Sequence, residues 1–175
     1  MNFSFYEKYI NTHTKGRNDV TPIFGNPQVF SHMIADLQKP FRRAHYDTIA
    51  GLDAIGFIIG GAMAQIHKVG FVPIRKGGKL PGVHGTVVRT TFTDYTRQRK
   101  QFEINRRAIR RGDRVLIVDD WIETGAQAKA AIRLIERFGG IVVGVSVLCA
   151  HHNRRTQSLF DTYHLKAIKI LKEKQ

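Results

Sequence analysis

The sequence predicts an α/β domain with a central, mostly parallel sheet flanked by helices, and three observations carry that reading. The first is the stretch Arg114-Val115-Leu116-Ile117-Val118-Asp119-Asp120-Trp121-Ile122-Glu123-Thr124-Gly125-Ala126-Gln127. An apolar, β-branched run ends there in two carboxylates and a Thr/Gly turn, and an Ala-rich amphipathic stretch follows over 128–137, which spells strand, loop and helix. The second is a strand–helix–strand pattern over 46–75, whose right-handed crossover calls for parallel strands. The third is size. A chain of 175 residues that is 42% hydrophobic fits one domain burying about 70% of its unfolded surface. With no internal repeat or low-complexity segment, residues 1–175 are read as a single domain.

Taken in order, residues 1–45 form an appendage too short for its own core, expected to pack over the main domain. A short helix is expected over 6–10 and a turn over 18–22. Asn26-Pro27 then opens a helix whose apolar positions are Phe30, Met33, Ile34 and Leu37, ending before Pro40. A strand over 46–50, a loop over 51–56, a helix over 57–68 and a strand over 70–75 follow. The Gly60-Gly61 pair either brings that helix close to the sheet or is simply tolerated within it. Past the second strand, Arg75, Lys76 and Lys79 flank Gly77-Gly78. This turn suits a polyanion such as pyrophosphate, which Arg grips as a fork and Lys as a point charge, or it is a solvated basic turn.

Residues 83–103 place β-branched flanks around a polar tip that holds Asp94 and Tyr95, the pattern of a mobile flap. Arg106, Arg107, Arg110 and Arg111 share one side of a helical turn by their spacing. Gly139-Gly140 precedes a strand over 141–148, giving four or five parallel strands in all. Lys166, Lys169, Lys172 and Lys174 make a basic tail with no assigned chemistry.

The acids Asp119 and Asp120 sit at the carboxyl end of their strand, where open parallel sheets bind ligands. The loop Thr124-Gly125-Ala126-Gln127 leaves backbone N–H groups at a helix start, a seat for phosphate. Together they suggest a phosphorylated sugar whose hydroxyls the acids accept; the alternative is a buried strand with an ordinary acidic turn.

Twenty-eight Lys and Arg against fourteen Asp and Glu give a net charge of +14, which attracts polyanions, either nucleic acid or polyphosphates. No aromatic platform interleaves the Arg-rich segment 97–114, so a solvated basic face explains it as well. No apolar run approaches a membrane span and no secretory signal is evident. The single Cys149 cannot form an internal disulfide, which fits a cytoplasmic setting and a packing role. No residue is assigned as a direct metal ligand. The adjacent His151-His152, without further ligands, is a weak metal signal and is expected to lie outside the chemistry.

Over roughly residues 17–150 the chain resembles the type I phosphoribosyltransferases, and specifically their adenine branch. Four blocks in the family's order carry the resemblance: Asp19-Val20-Thr21-Pro22 with Asn26-Pro27; Ile49-Ala50-Gly51-Leu52-Asp53-Ala54-Ile55-Gly56-Phe57; Val72-Pro73-Ile74-Arg75-Lys76-Gly77-Gly78-Lys79-Leu80-Pro81-Gly82; and the stretch 114–127. The third block is specific to the adenine branch and the fourth is shared by the superfamily.

The resemblance implies the type I phosphoribosyltransferase fold, with an N-terminal hood over 1–45 and a flexible β-flap over 83–103. It implies transfer of 5-phosphoribosyl from phosphoribosyl pyrophosphate (PRPP) to a purine base, with Mg2+ bridging pyrophosphate and ribose oxygens and bound mainly through PRPP. Asp119 and Asp120 would hold the ribose hydroxyls, Thr124 to Gln127 the 5-phosphate, and Arg75, Lys76 and Lys79 the pyrophosphate. Trp121 would pack on the base, with Asn18 and Val20 over it, and the flap bearing Asp94 and Tyr95 would close on the reacting centre. Homodimers are common in the family.

The chain departs from the adenine branch at several positions. Ile55 and Asn18 stand where Arg is usual, Asp94-Tyr95-Thr96 replaces Glu-Tyr-Gly, and Glu123-Thr124-Gly125-Ala126-Gln127 replaces Ala-Thr-Gly-Gly-Thr. In 6-oxopurine enzymes an acid occupies the place of Glu123. That makes Glu123 a candidate general base and raises a 6-oxopurine as the alternative acceptor; otherwise it is an idle glutamate favoured by the helix dipole. A PRPP-sensing regulator that binds nucleic acid is the remaining alternative. It is disfavoured because residues 1–45 show no helix-turn-helix pattern.

Overall fold

A computed structural model of the chain describes residues 2–14, 18–81, 85–93 and 98–172. The first three helices, α1 (Phe3–Glu7), α2 (Thr21–Gly25) and α3 (Pro27–Gln38), belong to the N-terminal segment. The Asn26 side chain caps α3 by accepting from the N–H of Gln28 and Val29 at 3.1 Å, and Pro27 occupies its first position. There follow β1 (Thr48–Leu52), α4 (Ile55–His67), β2 (Gly70–Lys76), the antiparallel hairpin β3 (Val87–Thr93) and β4 (Arg99–Asn105), β5 (Arg114–Ile122), α5 (Ala126–Arg137), β6 (Ile141–His152), α6 (Gln157–Asp161) and β7 (Leu165–Lys172).

The seven strands form one sheet in the order β3-β4-β2-β1-β5-β6-β7. The five strands from β2 to β7 pair in parallel, while β4 adds to β2 antiparallel through Arg75↔Glu103 and Lys76↔Phe102. The central strands are apolar on both faces because both are covered, as a parallel sheet requires. One cluster joins Ile117, Val145, Ala131, Ile135 and the hairpin's Phe102 and Ile104 beneath α5. The other joins Leu116, Val118 and Leu148 to α3 and α4 through Met33, Leu37, Ile59 and Met63, and takes in Tyr6 of α1. The N-terminal segment therefore completes one face of the sheet.

Of the paired helix glycines, only Gly60 marks a close approach. A Cβ there would lie 2.6 Å from the Phe71 ring, whereas one on Gly61 would meet nothing. α4 is thus seated tightly on β1 and β2.

Several sequence expectations shift. Over 165–172 the basic tail, whose Lys174 lies outside the described residues, is a strand, β7, paired in register with β6 over Val145↔Leu165 to His152↔Lys172. Its lysines sit on a sheet edge, where charge discourages further pairing. β1 absorbs Gly51 and Leu52, and α4 starts at Ile55 rather than 57. The predicted turn over 18–22 partly becomes α2. The four arginines do not share a helical turn, since only Arg106–Ala108 makes one turn of tight helix. β5 continues through both acids to Ile122 because β6 still pairs with it, Trp121↔Cys149 and Ile122↔Ala150.

Candidate active site

The chain leaves β1 toward β2 on one side of the sheet and β5 toward β6 on the other, so a crevice opens between the carboxyl ends of β1 and β5. Pairing of β1 with β5 stops at Gly51↔Val118, while β6 carries β5 four residues further. Asp119 and Asp120 are the first residues past that point. The resulting cleft is lined by Asp53, Ala54 and Ile55 from the β1–α4 turn, by 119–128 from the end of β5 to the first turn of α5, and by Asn18 and His151.

Both acids are 8% exposed, and the Asp120 N–H donates to Asp119 Oδ1 at 3.0 Å. Burying two adjacent carboxylates opposes folding unless something at the site repays it, so such a pair is a mark of function. After Ile122 the chain turns through Glu123, Thr124 and Gly125. Gly125 has φ 73°, a left-handed conformation that glycine adopts without strain. α5 then begins at Ala126, earlier than the predicted 128, with Gly125 at its N-cap offering no side chain. Thr124 Oγ1 accepts from the Ala126 N–H at 3.4 Å. The N–H groups of the first turn and the positive end of a twelve-residue helix thus meet the cleft wall formed by Gln127 and Ala128.

Arg75 and Lys76 end β2 beside this cleft without lining it. Asp53 connects them to it: its Oδ2 lies 3.7 Å from Arg75 Nε and accepts from the Lys76 N–H at 3.3 Å, and its Oδ1 lies 3.9 Å from Lys76 Nζ. The Arg75 guanidinium also lies over the Phe57 ring, 5.8 Å from its centroid. Its buried Nε has no hydrogen-bond partner among the described residues and faces the Asp53 carboxylate. Lys79 lies further along the turn and is likewise outside the cleft lining.

Of the expected base contacts, Trp121 is half-buried in the cleft wall and Asn18 faces it from the N-terminal segment. Val20 does not: its side chain is 2% exposed within the apolar cluster beneath α3 and α4. An apolar residue between Asp19 and Pro22 gains more by packing than by facing a wet cleft. The segment is held by reciprocal backbone hydrogen bonds of 2.9 Å between Asn11 and Asp19. Glu123 is exposed on the cleft wall. Asp94 and Tyr95 lie outside the described residues.

Sequence reasoning missed three contributors. Asp53 stood in a quoted block but carried no role until β2 folded beside it. His151 was set aside with His152, yet only His152 turns away, packing on Phe160 with ring centroids 4.6 Å apart, while His151 lines the cleft. The turn after β6 supports the site from behind. Asn153 Nδ2 donates to the Glu123 carbonyl at 3.3 Å, and Thr156 Oγ1 donates to the His151 carbonyl at 2.7 Å. Nothing local in the sequence pairs residues thirty positions apart.

An open parallel sheet with two acids and a helix start in its switch-point crevice defines the class of α/β proteins that bind phosphorylated ligands at strand ends. Within that class the chain belongs to the phosphoribosyltransferase family, whose phosphoribosyl transferase domain matches residues 22–174. It is 46% identical over 132 residues to an adenine phosphoribosyltransferase of Dinoroseobacter shibae, covering 74% of this chain and 70% of that one. An adenine phosphoribosyltransferase structure from Thermoanaerobacter pseudethanolicus superposes with TM-score 0.85 at 29% identity, over 97% of this chain and all of the other. The Giardia lamblia enzyme complexed with 9-deazaadenine gives TM-score 0.83 at 26% identity, over 100% and 99%.

Proposed function

We propose that the protein transfers 5-phosphoribosyl from PRPP to adenine, giving AMP and pyrophosphate in purine salvage. The observation that carries this is the buried Asp119–Asp120 pair at the crevice, beside a helix start and within one residue's reach, through Asp53, of two cations. The relatives' shared name points to the same reaction.

In this reading the two carboxylates accept hydrogen bonds from the ribose hydroxyls and fix the sugar. The loop Thr124 to Gln127 binds the 5-phosphate with backbone N–H groups and the dipole of α5. The purine nitrogen attacks the anomeric carbon as its bond to the pyrophosphate oxygen breaks, and the pyrophosphate leaves with the bonding pair. Negative charge gathers on that leaving group, so Arg75, Lys76 and Lys79 lower the barrier by favouring the transition state over bound PRPP. The proton lost by the base passes to a carboxylate, a role this reading gives to Glu123, which lines the cleft. Trp121 and Asn18 flank the base. The N-terminal segment serves as the hood, and the 83–103 hairpin as a flap whose Asp94 and Tyr95 close the site against water.

Among the described residues no three acidic, imidazole or thiol groups come together to hold a metal ion, so magnesium would be held mainly by the oxygens of PRPP. Bound with PRPP, that ion would neutralise charge on the pyrophosphate. No described helix is long and apolar enough to cross a membrane, and the proposal includes a cytoplasmic location. It also includes a homodimer, for which Ile58 and Ile66, 45% and 60% exposed on α4, offer apolar surface.

Glu123 favours a second acceptor, a 6-oxopurine, since an acid beside the base's imidazole edge suits that ring as well. Incubation with PRPP, magnesium and adenine, hypoxanthine, guanine, xanthine or orotate, reading pyrophosphate release, decides between them. Release with adenine is expected. Release with 6-oxopurines alone moves the assignment to them, and release with no base sinks the transferase reading.

A further inference from the structure

The carboxylate of Glu103, on β4, is wholly buried, yet it makes no contact with the cleft. Instead the cationic turn wraps around it. The N–H groups of Lys79 and Leu80 donate to its Oε1 at 2.6 and 2.5 Å, and Arg89 Nε on β3 donates to its Oε2 at 3.1 Å. The Gly77 N–H donates to the neighbouring Gln101 carbonyl at 2.9 Å, so β4 holds the turn twice. Burial alone would push the carboxyl's pKa up. The hydrogen bonds from Leu80, Gly78, Lys79 and Arg89 outweigh it and hold the group below the usual carboxylate range.

A turn containing Gly77 and Gly78, the latter at φ 79°, is intrinsically loose, and Lys79 beyond it must be ordered against the strand-end Arg75 and Lys76 each time an anion binds. A buried anion that collects consecutive backbone N–H groups removes that cost in advance. Glu103 also faces Arg75 in the β2–β4 register, so one carboxylate sits behind both ends of the cationic segment.

We propose that Glu103 is a positioning residue for the pyrophosphate subsite: it shapes the 77–80 turn from behind and ties it to the β3–β4 hairpin, so that Arg75, Lys76 and Lys79 present one preformed anion site. The proposal rests on the reading of that turn as facing pyrophosphate. It touches no reacting atom, and its signature is therefore a loss of affinity confined to the pyrophosphate-bearing ligands.

The test compares Glu103→Gln, Glu103→Asp and the doubly substituted Arg75→Ala/Lys79→Ala enzyme with the wild type. The readouts are KM for PRPP in the forward direction, KM for pyrophosphate in the reverse direction, and the dissociation constant of AMP, which carries no pyrophosphate. Glu103→Gln is expected to raise both KM values roughly tenfold, as loss of charge-assisted hydrogen bonds does, while AMP binding is unchanged and reports an intact fold. Glu103→Asp keeps the charge but cannot reach the turn, so it should behave like Glu103→Gln. Full rescue by Asp would overturn the positioning role. If Arg75→Ala/Lys79→Ala raises KM for pyrophosphate and Glu103→Gln does not, the inference falls and the pyrophosphate reading stands. If neither does, the pyrophosphate reading falls first. Should Glu103→Gln not fold, Arg89→Gln reads the same link from a side chain that is 53% exposed. A smaller rise in KM for pyrophosphate is expected there, and an unchanged value overturns the inference.

Discussion

Asp119 and Asp120 set the terms of the site at the scale of single residues. Each is held at 8% exposure by a strand that β6 extends beyond the end of β1. Neutralising them lightens the desolvation burden on the fold while replacing a charged acceptor oxygen on each with an NH2 donor, so function and stability should separate. Asp119→Asn combined with Asp120→Asn is expected to abolish PRPP turnover, a loss of at least about a hundredfold, with a melting temperature no lower than wild type. Full activity in that variant would make the acids ordinary strand-end residues. Glu123 presents the opposite case. It is exposed, and its backbone rather than its side chain is held, through Asn153. Glu123→Ala should leave melting unchanged. If it is the general base, turnover falls on the order of a hundredfold with KM for PRPP little altered; a change under about threefold removes it from the mechanism.

At the scale of elements, the turn joining β6 to α6 is the support most exposed to test. Thr156 is fully buried, and its hydroxyl donates to the His151 carbonyl while accepting from the Asn153 N–H at 3.0 Å. Thr156→Val keeps the shape and leaves the Asn153 N–H without its acceptor, costing about 1–3 kcal/mol. Because the same turn holds the Glu123 carbonyl and ends the strand that bears His151, KM for the base should rise as well, measured beside thermal melting. A melting shift with unchanged KM would confine the turn to stability. This support also shows where sequence reading stops. The strand, acid pair, loop and helix of β5–α5 were legible because hydrophobic periodicity and turn chemistry are local. β7 was not, since lysines at every third position, Lys166, Lys169 and Lys172, look like a charged tail until β6 is beside them. The end of β5 was misplaced for a related reason: two acids end a strand by propensity, but Cys149 and Ala150 continue its pairing. Asp53 and His151 entered the cleft through register between distant strands, which no short window encodes.

At the scale of the whole molecule, the sheet is one body clamped between two apolar clusters, and Cys149 lies on β6, one strand in from the β7 edge. Its strand neighbours are Trp121 on β5 and Lys169 on β7, and its side chain is completely buried. Burial pushes the thiol's pKa up to about 12, with Lys169 lowering it and Asp120 raising it. Since the thiolate is the reactive form, the native protein should resist a thiol reagent near neutral pH, and labelling should proceed only through opening. Two openings are distinguishable. If β7 peels from the edge as a local unit, the labelling rate stays nearly flat at low denaturant. If the sheet opens only with its clusters, the rate rises with urea at the slope of global unfolding. The second is expected, because β7 buries Leu165 in the cluster beneath α5 while Ile168 packs against the cluster on the opposite face, so removing the strand breaks into both. A flat response would instead divide the molecule into a firm β2–β1–β5–β6 core and a separable edge.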